Sequence, residues 1–149
     1  MNKDFIESKT VSSFSITKYA KNLIDKANIV FVKESGEIYY RDETGVSRPV
    51  TYIEIERLVA SNLTSVGEKV SSSKVTEIRK QVLYYAKQVS YSAFNVEHLI
   101  LFKNGVLDTS TMQFSKEIPP GVYFTNYVPF NYKKNPDTPK VFSDYLNHL

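Results

Sequence analysis

Leu99-Ile100-Leu101-Phe102-Lys103-Asn104-Gly105-Val106-Leu107-Asp108 is the stretch on which the fold reading turns. Two apolar runs flank a short polar interruption. The Asn-Gly pair favours a tight hairpin, because such a turn needs positive φ at both central residues. From His98 onward the pattern is therefore that of strands. Beyond the hairpin, Tyr123 to Phe130 reads as another extended run after Pro119-Pro120-Gly121. Pro136 and Pro139 then punctuate a polar segment, and Val141, Phe142, Tyr145, Leu146 and Leu149 have the spacing of an opening helix.

Upstream, the period is mostly helical. Ile16, Tyr19, Ala20, Leu23, Ile24 and Ala27 make one apolar face, and the serines at 12, 13 and 15 can cap its start, which predicts a helix over residues 14–27. Ile29 to Lys33 and Glu37 to Arg41 surround Gly36 as a first hairpin. Pro49 breaks the chain, Thr51 can cap, and Tyr52, Ile55, Val59 and Leu63 predict a second helix ending near Asn62. Residues 64–73 have turn chemistry and read as a mobile loop. A third helix starts near Lys74, burying Val75, Ile78, Val82, Tyr85, Ala86 and Val89. The expected architecture is α+β: about three helices with hairpins, followed by a short antiparallel sheet. An arm at 1–12, one domain at 13–132, and a linker with a helix start at 133–149 complete the division. The order of helices and hairpins also resembles a winged-helix arrangement.

Composition narrows the chemistry. The 149 residues carry no Cys and two His, which excludes zinc fingers, iron–sulfur clusters and thiol nucleophiles. No apolar run approaches the about 20 residues of a membrane span, so no membrane partner is expected. The N-terminus does not read as a signal peptide, and an intracellular, cytoplasmic location is expected. No two of Gly36, Gly45, Gly67, Gly105 and Gly121 have the spacing of a Walker loop. Glu54-Ile55-Glu56, the one acid-x-acid, falls on a helix, where the two carboxylates diverge by about 200°. The chain itself reads as neither enzyme nor metal protein, with no catalytic residue and no cofactor.

Charge is more informative by position than in total, since 19 Lys and Arg against 16 Asp and Glu leave only +3. On the expected third helix, Lys80, Tyr84, Lys87 and Tyr91 fall within about 60° of one another, with Lys74 and Arg79 on the same segment. Ammonium groups neutralise phosphates and tyrosine rings stack on bases, so this stripe is a candidate DNA contact. A solvated helix face has the same composition. Lys133, Lys134 and Lys140 form a second basic cluster.

The hairpin stretch Asn104-Gly105-Val106-Leu107-Asp108, then Phe124-Thr125-Asn126 with Pro129 and Tyr132, then Pro139-Lys140, resembles the phage and plasmid primase-helicase family, which is shared with poxviruses. Two departures stand out. Thr109-Ser110-Thr111-Met112 has no glycine where the family often has Thr-Gly, and Val141 precedes Phe142 after Pro139-Lys140. Asn104, Gly105, Asp108, Phe124, Thr125, Asn126, Pro129 and Tyr132 read as scaffold rather than contact residues. The resemblance implies the domain N-terminal to a superfamily 3 helicase motor in a bacterial host. It would serve as a collar, an oligomerisation element of a hexamer, or a contact with single-stranded or origin duplex DNA. ATP and Mg would belong to the motor. A free-standing winged-helix DNA binder and a protein–protein module remain open alternatives.

Overall fold

Serine and threonine hydroxyls start each helix by accepting orphan backbone N–H groups. The computed structural model describes residues 15–134, so the arm at 1–12 and the expected final helix lie outside the described residues. Ser15 caps α1 (Ile16–Ala27) through the Lys18 N–H, and Asn28 ends it in the left-handed region at φ 48. Thr51 caps α2 (Tyr52–Ser65) in a reciprocal capping box with Glu54. Ser71 caps α3 (Ser72–Tyr85) through the Lys74 N–H.

The connection between α2 and α3 is shorter and better fastened than a loop over 64–73. Glu68 N–H donates to Leu63 O at 2.9 Å and Gly67 N–H to Thr64 O at 3.1 Å, with Gly67 at φ +78. That is a Schellman closure, in which glycine takes the left-handed position without a Cβ penalty.

Four strands form the first sheet. β1 (Val30–Val32) and β2 (Ile38–Arg41) make the expected antiparallel hairpin. β3 (Ser47–Val50) extends it, although Pro49 reads as a break in the sequence. β3 pairs with β2 alone, which puts Pro49 on an edge strand, where a missing N–H is tolerated. β4 (Lys87–Val89) lies parallel to β1, with Val32 opposite Val89. A second, antiparallel sheet of β5 (Leu99–Phe102), β6 (Gly105–Asp108) and β7 (Gln113–Ser115) follows a 3-10 turn at Tyr91–Ala93. The fold is α+β, as expected, with β3, β4 and β7 as additions.

Alternation along the strands builds two faces. Ile38 joins Ile24, Ile55, Val59, Ile78 and Val82 in the helix-side core, with Phe31, Tyr40 and Val50 packed against it. Val30, Val32 and Val89 point the other way, onto Tyr123. Residues 122–132 run there as an irregular strap rather than the expected strand. Ser47 N–H donates to Phe124 O at 2.7 Å in the first sheet, and Val128 N–H to Leu101 O at 2.8 Å in the second. Arg41 adds a bond from Nη2 to Val122 O at 3.0 Å. The strap thus stitches the two sheets together on the side away from the helices.

This ladder differs from a winged helix in two respects. The strand after α3 pairs in parallel with β1, and the hairpin β5–β6 belongs to the other sheet. No helix among the described residues is long and apolar enough to cross a membrane.

Candidate nucleic-acid interface

The stripe expected on the third helix breaks at Tyr85. Ala86 takes extended angles (φ −61, ψ 139), Lys87 starts β4, and Tyr91 lies in the 3-10 turn, where its hydroxyl donates to Glu37 Oε1 at 2.7 Å. Lys87 and Tyr91 therefore do not share a helix face with Lys80 and Tyr84. The cause is tertiary: β1 offers an open edge, and Val89 is buried as well in a strand as it would be in a helix. Arg79 is bonded to Glu56 at 2.7 Å and lies over the Tyr52 ring, and Lys74 pairs with Glu68 at 3.7 Å. Lys80 and Tyr84 remain on the solvent side of α3, with Tyr84 70% exposed. Lys21 of α1 sits 4.7 Å over the neighbouring Tyr85 ring, a contact without a signal in the sequence.

A denser basic constellation forms at the tip of the second sheet. Phe102 pairs with Gly105, so the turn centres on Lys103-Asn104, one residue earlier than the Asn-Gly pattern predicts, and Asn104 does not adopt positive φ. Lys103 N–H donates to Phe130 O at 3.1 Å. The Asn104 side chain donates through Nδ2 to Tyr132 O at 3.2 Å and accepts the Tyr132 N–H on Oδ1 at 2.7 Å. A Cβ on Gly105 would stand 3.0 Å from Lys116 Cα. Lys103, Lys116, Lys133 and Lys134 thus converge from three segments around one turn. All four are exposed, and none forms an ion pair with a described residue. Phe130, 45% exposed, borders the same tip. Lys133 and Lys134 are grouped by sequence, whereas Lys103 and Lys116 join them only through tertiary contact; Lys140 lies outside the described residues.

The other signature residues divide into packed and exposed. Phe124 is buried with Val46, Leu101 and Val106. The Tyr132 ring stacks on Phe114 at 5.0 Å and tilts against Phe102 at 5.4 Å. Thr125 and Asn95 bond reciprocally, side chain to side chain at 2.8 Å and Thr125 N–H to Asn95 Oδ1 at 3.0 Å. Asp108 Oδ1 accepts the Ser110 N–H and hydroxyl, closing the β6–β7 turn in which Met112 takes φ 58, a conformation glycine adopts more readily. Pro129 and Asn126 are exposed.

Several carboxylates are held below their ordinary range. The Ser90 hydroxyl lowers Glu34, the Thr51 backbone N–H lowers Glu54, and the Ser110 hydroxyl lowers Asp108. At Asp42 burial pushes upward, but bonds from Thr44, Arg48 and the Val46 N–H outweigh it. Depressed folded-state values stabilise the fold above the ordinary carboxylate range, and that stability is lost as pH falls through them. Thermal unfolding followed from neutral pH downward should show Tm falling through the acid range, and Asp42→Asn should flatten the fall. A Tm independent of pH there would contradict these bonds.

The glycine spacing of a phosphate loop is missing, and among the described residues no group of three or more His, Cys, Asp or Glu could hold a metal ion.

A protein-family model described as "D5 N terminal like" matches residues 16–149. No curated protein matches the chain significantly.

Proposed function

The chain belongs to the D5 N-terminal-like family, the N-terminal domains of D5-like primase-helicase proteins, and from that premise we propose that it is an accessory domain gripping a DNA backbone through its lysine tip. The observation that carries this reading is that Lys103, Lys116, Lys133 and Lys134 are brought to the turn at Gly105 by three segments, with no acidic partner among the described residues. Lysines free of ion pairs release condensed counterions when they meet phosphates, whereas paired ones first give up an existing contact. Domain and motor would share a DNA strand, with ATP and Mg used elsewhere in the parent protein. Assembly into a ring would multiply a weak single contact. The chain does no chemistry in this account, so ATP turnover by the isolated chain with DNA should not exceed a blank.

Fluorescence anisotropy across a salt series tests the contact. Four phosphate contacts on a single strand give a log–log slope of about −2.8, and Lys133→Ala with Lys134→Ala should bring it to about −1.4. Duplex DNA, at about −0.9 per phosphate, is the parallel probe. Salt-independent or undetectable binding would instead favour a protein–protein module.

A second reading places the contact on α3, favoured by the exposure of Tyr84 beside Lys80. The helices and the strap cover opposite faces of the first sheet, so the two surfaces are separable. Lys80→Ala should leave affinity unchanged if the tip is the contact.

A further inference from the structure

Asn104 occupies a turn position that does not need asparagine. Its φ is not positive, so the usual reason for Asn before Gly in a hairpin is missing. Its whole amide is instead committed to the main chain of Tyr132, as donor at 3.2 Å and acceptor at 2.7 Å. A side chain here imitates one rung of a β-ladder.

The Tyr132 ring is already held between Phe114 and Phe102. Ring stacking restrains the side chain but leaves rotation about the main-chain bonds. The amide rung fixes the peptide itself, and Lys133 and Lys134 are the next two residues. The preceding tie is one rung back, from Lys103 N–H to Phe130 O at 3.1 Å. Without the rung, the described contacts at Tyr132 that hold the main chain before the two lysines are those of its ring. With it, they follow directly on a residue bonded to the turn that carries Lys103 and that Lys116 crosses. Two lysines held in place lose less conformational freedom on meeting phosphates than two on a loose tail.

We propose that Asn104 is a positioning residue for DNA-backbone binding, aligning Lys133 and Lys134 with Lys103 and Lys116 through its two hydrogen bonds to Tyr132. This inference rests on the tip being the contact surface.

The test uses the full chain with a fluorescein-labelled oligothymidylate, reading affinity, salt slope and Tm. Asn104→Ala should weaken binding roughly tenfold and move the slope from about −2.8 toward −1.4, matching the Lys133→Ala/Lys134→Ala variant. Combining all three substitutions should add little to either alone, the mark of groups acting as a unit. A merely structural residue would lower Tm and leave the slope of the still-folded protein unchanged, and that result would overturn the inference. If Asn104→Ala does not fold, Asn104→Gln carries the same amide one methylene further out and is read identically. Should the double lysine variant bind like wild type, the tip reading fails and the inference with it. If the lysine variant weakens binding while the Asn104 variant does not, positioning alone is wrong.

Discussion

Gly105→Ala is expected to destabilise the chain by about 3 kcal/mol or more, a Tm loss near 10 °C for a protein of this size. An added Cβ would lie 2.2 Å from Ser115 O and 2.6 Å from Phe114 Cζ, and the residue sits at φ +153. Ser115 belongs to β7, which is hydrogen-bonded to β6, so its carbonyl cannot retreat without breaking the ladder. Phe114 is stacked on Tyr132, so moving its ring disturbs the clamp as well. Urea or thermal unfolding reads the effect directly. A variant within about 1 kcal/mol of wild type would mean that β7 does not cross so closely over the turn.

Phe124→Ala should cost about 3–5 kcal/mol, the usual range for emptying a buried phenylalanine site. Phe124 is 3% exposed and packs with Val46 from beside the first sheet and with Leu101 and Val106 from the second. Its carbonyl also accepts the Ser47 N–H, so collapse around the cavity would have to drag that bond along. Two neighbours in the same signature supply the contrast. Asn126 and Pro129 are exposed, and Asn126→Ala or Pro129→Ala should stay within about 0.5 kcal/mol of wild type. Equal losses at all three positions would argue against the strap as described.

The elements that were legible in the sequence are those whose signal is local. Ser15, Thr51 and Ser71 each precede a helix and do cap it, and Ile24, Val59 and Val82 fall on the buried faces that their spacing predicts. The end of α3 was not legible, because Val82, Ala86 and Val89 are buried in either a continuing helix or a helix followed by a strand. The parallel partner that decides the matter, Val30–Val32, lies more than 50 residues upstream, beyond the reach of any local pattern. Pro49 misleads in a similar way, since its meaning depends on whether β3 is an edge. Asn-Gly locates the second hairpin but misplaces its centre by one residue, because Asn104 answers to Tyr132 and not to the turn. The lysine tip was half visible. Lys133 and Lys134 are adjacent in the chain, but Lys103 and Lys116 reach them only after β7 crosses over Gly105 and the strap returns to the hairpin.

The measurement that bears most directly on the tip as a DNA contact is an NMR titration of the isotope-labelled chain with an unpaired oligonucleotide, mapping which backbone amides shift. The account predicts that Lys103, Asn104, Gly105, Lys116, Tyr132, Lys133 and Lys134 move together and saturate with one affinity, while α3 around Lys80 and Tyr84 stays still. Shifts confined to α3, with the tip unmoved, would contradict it.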